Sequence, residues 1–253
     1  MEKHTVSASL TDNTKYMNRA LPVKKSFDII ERTLIIGGQN SAFYFIDGFT
    51  KDEIMLKLMD SFLNISADDM PEDATSFSTS CIPYVEVDIL GDFDSIFKNL
   101  LSGVTCLFID GYEAAIAIDC RTYPSRSIEE PDKDKSLRGS RDGFVETIVF
   151  NTALMRRRIR DPHLIMEMYE AGTSTRTDVA LCYMSDRVDR ELLTTIQNKL
   201  EESKSQDLKM SQQSLAEALF QRKWYNPFPK YKFTERPDTA CACLMEGKVI
   251  ILT

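Results

Sequence analysis

Short apolar runs alternate with segments of helical spacing through the first half of the chain. The run from Ser41 to Ile46 is aromatic and aliphatic, which predicts a buried strand. Apolar residues at helical spacing follow from Ile54 to Leu63, and Thr50 and Glu53 stand where a capping box would begin that helix. The pattern then predicts a strand over 84–90, a helix that begins at Asp92 and ends near Gly103, and a hairpin over 105–119.

The second half of the chain repeats this order of elements. Its pattern predicts a helix over 145–159, a strand over 178–184, a helix over 189–200, a short helix near 214–221 and a hairpin over 239–252. A helix over 27–34 would be the counterpart of the helix over 145–159. The recurrence predicts two similarly folded α/β subdomains, the first over 1–122 and the second over 144–253.

Residues 123–143 are expected to join the two subdomains as a charged linker. The stretch contains two prolines and two glycines, and Ile128 and Leu137 are its only large aliphatic residues. This composition is typical of an exposed connection with no core of its own. A second polar stretch, over 66–80, is expected to form a surface loop.

Composition and charge narrow the class of protein. The chain of 253 residues is 43% hydrophobic, and its net charge of −8 argues against nucleic-acid binding, which needs a dense cationic surface. Its cysteines lie mostly in apolar runs, so we expect buried thiols in a reducing compartment. The opening residues are polar, and no apolar stretch approaches the roughly 20 residues of a membrane-spanning helix. Neither a targeting segment nor a membrane span is therefore expected.

Signatures of catalysis and of metal binding are weak. His4 and His163 lie in no catalytic or metal-ligand motif, and Cys241 and Cys243 have no second pair to complete a zinc site. Gly37-Gly38 could present backbone amides to a phosphate, but a loop or a helix end is the favoured interpretation. The residues favour a protein that is not an enzyme and that has no cofactor or metal.

Three charged segments hold the candidate functional residues. Rigid arginines beside carboxylates favour interlocking ion pairs, and the arginines at 156–158 are expected to fan around a helix because successive residues lie about 100° apart. A clamp between subdomains or subunits is favoured over a ligand site. The candidates are Arg138, Arg141, Asp142 and Glu146 in the first segment, Arg156, Arg157 and Arg158 in the second, and Trp224, Glu235, Arg236 and Asp238 in the third.

The same segments carry a resemblance. The blocks RGSRDGFVET (138–147), NTALMRRRIRDP (151–162) and WYNPFPKYKFTERPD (224–238) resemble the signature blocks of GerA-family spore germination proteins, in order and at similar spacing. Ser140 and Asp142 stand where receptor A subunits of the family usually have proline and glutamate, which is more similar to its SpoVAF-like branch. The resemblance implies two α/β subdomains, distantly similar to substrate-binding proteins, on the cytosolic side of the spore inner membrane. It also implies a following membrane domain that this chain does not contain.

Two functions follow from the resemblance. In the favoured hypothesis, the chain helps to assemble and gate an oligomeric ion channel through self-association and contacts with other germination membrane subunits. In the alternative, it belongs to an A subunit of a nutrient germinant receptor, and a small-molecule germinant binds in the cleft between the subdomains. No nucleic-acid partner is expected under either hypothesis.

Overall fold

The structure, a computed structural model, describes residues 4–84, 86–123, 142–173, 175–204, 215–216, 219 and 231–253. It is a mixed α/β protein with two sheets, as the sequence predicted. Unit 1 comprises residues 1–125 with 160–162, and unit 2 comprises residues 126–159 with 163–253. The linker expected over 123–143 lies almost entirely outside the described residues, so the subdomain boundaries stay a prediction.

Unit 1 is built on a five-stranded antiparallel sheet. Its strands lie in the order β1-β2-β4-β5-β3. The elements are α1 (Leu10–Ala20), β1 (Ile29–Ile36), β2 (Gln39–Ile46), α2 (Asp52–Leu63), α3 (Ala74–Ser80), β3 (Val87–Leu90), α4 (Phe93–Leu101), β4 (Thr105–Ile109) and β5 (Ala115–Ile118).

Helices cover both faces of this sheet. Neighbouring side chains of a strand point to opposite faces, so Phe43 packs with the cluster that includes Phe62 of α2, and Tyr44 with the cluster that includes Met17 of α1. All four side chains are 0% exposed. Burial of a side chain of this size stabilises the fold by about 1.5–3 kcal/mol. The two apolar layers therefore hold the sheet from both sides.

Unit 2 contains a three-stranded antiparallel sheet in the order β6-β7-β8. Its core lies between the sheet and α6, where Leu181, Ile196 and Leu200 are buried together. The elements are α5 (Ile148–Arg158), β6 (Leu164–Ala171), β7 (Thr177–Met184), α6 (Arg190–Ser203), α7 (Pro237–Met245) and β8 (Ile250–Leu252).

The two units share an order of elements, as expected for a duplicated fold. In each unit a helix precedes a long antiparallel hairpin and a second helix, which gives α1-β1-β2-α2 in one and α5-β6-β7-α6 in the other. In each unit a later helix is followed by a strand that extends the sheet. In unit 1 these are α4 and β4, and β4 pairs with β2; in unit 2 they are α7 and β8, and β8 pairs with β7.

The helix predicted over 27–34 is wrong, because that stretch forms β1. Four isoleucines in Ile29–Ile36 carry β-branched side chains, which are restricted in a helix and pack well on a sheet. Gly37 and Gly38 have positive φ angles of 53° and 77° and form the two-residue turn to β2. Such a turn needs positive φ at both central positions, which is the physical use of this glycine pair.

The hairpin predicted over 239–252 is wrong in its first strand, because α7 covers Pro237–Met245. A continuous apolar run does not distinguish a buried strand from a helix. Pro237 occupies the first turn of α7, where its missing N–H has no helical partner to lose and its fixed φ suits the helix. Gly247, with a φ of 85°, follows the helix end, and its N–H donates to the Leu244 oxygen at 2.9 Å.

Smaller differences concern caps and the polar stretch over 66–80. The N-cap of α2 is Lys51 and makes no side-chain capping bond, so the capping box expected from Thr50 and Glu53 is wrong. The stretch expected to be a loop contains α3, which Asp73 caps by accepting a hydrogen bond from the Ser76 N–H at 2.8 Å. The cap expected from Asp92 is confirmed.

Candidate functional site

The segment over 142–145 precedes α5 and is hydrogen-bonded to residues of unit 2 that are distant in sequence. The Asp142 carboxylate accepts a hydrogen bond from Arg158 Nη2 at 2.6 Å. The Phe144 N–H donates to the main-chain oxygen of Glu235 at 2.9 Å. These partners lie at the C-terminal end of α5 and just before α7. The segment therefore joins two helices through its own backbone and one carboxylate.

Asn151, at the fourth position of α5, makes a further attachment to this segment. Its Nδ2 donates to the Val145 oxygen at 2.7 Å, and its Oδ1 accepts from the Val145 N–H at 2.8 Å. Unit 1 has the same arrangement, because Asn13 at the fourth position of α1 bonds both main-chain groups of Ser7 at 2.6 and 2.9 Å. Both asparagines are buried. We call this paired contact the asparagine clasp; it belongs to the repeated fold.

The three arginines at the end of α5 have different surroundings. Arg156 is 0% exposed, and its Nη2 donates to the Leu164 oxygen at 2.9 Å. Arg157 and Arg158 are exposed. The arginines thus fan around the helix, as predicted. Burial of a guanidinium is costly unless its N–H groups are hydrogen-bonded, and the Leu164 oxygen supplies one such acceptor for Arg156.

Arg236 precedes α7 and forms a bidentate pair with Asp238. Its Nε donates to Asp238 Oδ1 at 3.1 Å and its Nη2 to Oδ2 at 2.6 Å. These hydrogen bonds hold the pKa of Asp238 below its ordinary value of 3.8. A hydrogen bond from the Thr239 N–H and the positive charges of Arg236 and Arg158 also lower this pKa, whereas burial raises it. The ionised carboxylate also lies in the first turn of α7, where the helix dipole favours a negative charge.

The structure brings together only some of the candidate residues. Glu235 contributes its main-chain oxygen, and its side chain is exposed. Glu146 is exposed and joins no hydrogen bond or ion pair within the described ranges. Arg138, Arg141 and Trp224 lie outside the described residues. We use the name "clamp" for the set that the structure joins, which consists of residues 142–145, Asn151, Arg158, Glu235, Arg236 and Asp238.

Unit 2 contains a buried carboxylate that is not among the residues predicted from sequence. Glu167 of β6 is 8% exposed and accepts hydrogen bonds of 2.7 Å from the hydroxyls of Tyr169 and Tyr183 and from Gln197 Nε2. Burial first, and then the bond to Glu167, raises the pKa of the Tyr183 hydroxyl. The spacing of Glu167 and Tyr169 places both on one face of a strand. The sequence pattern predicts no strand over 164–171, so this shared face is not apparent without the structure.

The clamp fits a role in fixing backbone positions. Its two arginines donate to carboxylate oxygens at hydrogen-bond distance, and Asn151 bonds both main-chain groups of Val145. In the part of the chain that the structure describes, no group of three or more His, Cys, Asp or Glu side chains is placed to hold a metal ion. Over the same ranges, every helix is too short or too polar to cross a bilayer.

Comparisons with known proteins converge on one family. The family model described as Bacillus/Clostridium GerA spore germination protein matches residues 15–253. Stage V sporulation protein AF of Bacillus subtilis (strain 168) is 33% identical over 99% of this chain and 51% of its own length. Spore germination protein KA of the same organism is 29% identical over 98% of this chain and 45% of its own length.

A solved structure shares the fold. The N-terminal domain of the A subunit of the Bacillus megaterium spore germinant receptor GerK3 superposes with a TM-score of 0.70 and 22% identity, over 100% of this chain and 93% of that domain. The chain spans about half the length of the curated relatives it matches. The resemblance of the three sequence blocks is confirmed by the family match over almost the whole chain: this chain belongs to the GerA family of spore germination proteins.

Proposed function

We propose that this chain is the part of a spore inner-membrane germination protein that helps to assemble and gate an oligomeric ion channel, and that it lies on the cytosolic side of that membrane. The observation that carries the proposal is the convergence of the three family blocks on the clamp. The first block contributes residues 142–145, the second contributes Asn151 and Arg158, and the third contributes Glu235, Arg236 and Asp238.

The geometry of the clamp suits the transmission of a displacement. The segment over 142–145 is bonded to the start of α5, to its end and to the residues before α7. Those helices are rigid elements packed in one unit. A displacement of α7 would therefore also displace the segment over 142–145, because the hydrogen bond between Phe144 and Glu235 links the two. Self-association and contacts with other germination membrane subunits would then use the exposed charges around the clamp.

The membrane part of the proposal rests on length. Relatives about twice as long as this chain include Stage V sporulation protein AF, so the rest of such a protein has room for membrane-spanning helices. The chain would act on that remainder through the clamp.

Charge reversal at Arg236 in the full-length protein tests the proposal. In spores, Arg236→Glu should abolish germination-linked ion release and reduce cross-linked oligomers, because it places a carboxylate against Asp238. Arg32→Glu, at an exposed arginine of β1, is the matched control and should leave both unchanged. A swapped variant, Arg236→Asp with Asp238→Arg, restores opposite charges and should recover part of the activity. Normal ion release and assembly with Arg236→Glu would overturn the proposal.

A second candidate is an A subunit of a nutrient germinant receptor that binds a small molecule. Its support is the similarity to Spore germination protein KA, together with the fold shared with the GerK3 domain. A thermal-shift screen of amino acids, sugars, nucleosides and inorganic ions separates the two functions. A ligand at about 100 times its Kd stabilises the fold by about 2.7 kcal/mol. A specific, saturable shift would favour the receptor, and silence across the panel would favour the channel module.

A further inference from the structure

Unit 1 contains a cavity of about 510 Å³ that none of the candidate functional residues line. Two residues that precede β3 and three that follow β5 form its walls. The Asp119 N–H donates to the Glu86 oxygen at 2.9 Å, so the pairing of β3 with β5 continues past the strand ends. The lining residues are Tyr84, Glu86, Asp119, Arg121 and Tyr123.

One wall of the cavity is held firmly against the C-terminal end of α4. The Tyr123 hydroxyl donates to the Ser102 oxygen at 3.0 Å, and the Tyr123 ring meets the Phe49 ring edge-on, with centroids 5.3 Å apart. Arg121 Nη1 donates to Ser102 Oγ at 3.0 Å. The Arg121 guanidinium lies 6.0 Å from the Tyr123 ring centroid, which shows that this ring already accepts a cation nearby.

The charges around the cavity leave a negative balance. Arg121 is paired with Asp119 through two bonds, one of them 2.6 Å from Nε to Oδ1, and these bonds lower the pKa of Asp119. That pair is neutral as a whole. Glu86 is exposed, and no described cation lies within ion-pair distance of its carboxylate. The C-terminal end of α4 adds a partial negative charge. Among the residues that the structure describes, one carboxylate therefore remains uncompensated beside two tyrosine rings.

We propose that this cavity binds small organic cations, whose ammonium group lies against the rings of Tyr84 and Tyr123 and pairs with the carboxylate of Glu86. Tyrosine faces attract cations, and a volume near 500 Å³ lies within the roughly 300–1,000 Å³ of small-molecule sites. An anion is disfavoured because Arg121 is already occupied by Asp119. The inference is independent of the clamp, whose residues all belong to unit 2.

Titration of the 253-residue chain with choline, followed by NMR of its amide and tyrosine signals, tests the site. The neutral isostere 3,3-dimethylbutan-1-ol has the same shape without the charge. Choline should shift the signals of Tyr84 and Tyr123 saturably, and the alcohol should bind about tenfold more weakly. Glu86→Gln should weaken choline binding about fivefold, as expected for an exposed ion pair.

Glu72→Gln is the matched control, because Glu72 is an exposed carboxylate beside a different cavity of unit 1. This variant should bind choline like the original chain. Since Glu86 and Glu72 are both exposed, neither variant should change the circular dichroism spectrum. Three results would overturn the proposal: no saturable shift with choline, equal binding of choline and the alcohol, or an equal effect of the two variants.

Discussion

The Asn151→Ala variant should destabilise unit 2 by about 1.5 kcal/mol. The side chain is 4% exposed and bonds both main-chain groups of Val145 at 2.7 and 2.8 Å. A hydrogen bond of this kind contributes about 1 kcal/mol net, so two contribute about 2 kcal/mol. Alanine is the better helix former at this position by roughly 0.5 kcal/mol, which offsets part of the loss.

Unit 1 provides a second test of how much the asparagine clasp contributes to stability. Asn13→Ala should destabilise unit 1 by a similar amount, because Asn13 is 2% exposed and bonds both main-chain groups of Ser7. Asn99→Ala is the matched control. Asn99 Nδ2 donates to the Ser95 oxygen within α4 at 3.0 Å, and in the described ranges its side chain makes no other hydrogen bond, so its loss should cost less than about 0.5 kcal/mol.

Urea denaturation and amide hydrogen exchange measure these effects unit by unit. Asn151→Ala should lower the denaturation midpoint and speed exchange at the Val145 amide, whose N–H loses its acceptor. Asn13→Ala should do the same at the Ser7 amide. If both clasp variants cost no more than Asn99→Ala, the asparagine clasp does not stabilise the fold and the reasoning is refuted.

Three further predictions concern single side chains of unit 2. Arg156→Ala should lower the free energy of unfolding, measured in urea, by about 3 kcal/mol because the guanidinium is fully buried. Arg157→Ala, at the exposed neighbour, should lower it by less than about 1 kcal/mol. Equal effects would contradict the difference in burial between the two arginines. Asp238→Asn should reduce the dependence of the free energy of unfolding on pH in acid. The folded pKa of Asp238 lies below 3.8, so its charge stabilises the unit above that pH and the contribution fades as pH falls through the folded pKa; acid-unfolding curves that keep the same slope would be inconsistent with this. Tyr183→Phe removes one donor from the buried carboxylate of Glu167 and should cost about 1–2 kcal/mol by urea denaturation, and an unchanged midpoint would count against the contact.

Several elements could be predicted from sequence because their signals are local. The cap at Asp92 is confirmed, as are the strand that contains Ser41–Ile46 and the helix over the apolar stripe after it. The run over 27–34 was misassigned because its partner, β2, decides its conformation. The apolar run over 239–245 suits either a helix or a strand, and its packing beside α5 selects the helix, with Cys241 Sγ lying 3.9 Å from the Met155 oxygen.

In the candidate site, too, contacts between residues close in sequence could be predicted and contacts between distant residues could not. The pair of Arg236 and Asp238 is close in sequence, so its contact could be anticipated from spacing. Asn151 was missed because a single asparagine in a helix carries no local signal of the backbone groups it meets six residues earlier. The full burial of Arg156 was missed because an arginine run is usually solvated.

The sequence by itself determined the family and the α/β class, since sequence blocks, apolar periodicity and turn residues act over short stretches of chain. Only the tertiary structure decided how charges far apart in sequence are paired, which arginine is buried, and that Glu86 has no cation within ion-pair distance among the described residues. The physical reason is distance. Hydrogen bonds and ion pairs depend on separations of a few ångströms between groups far apart in sequence, and those separations are set by packing.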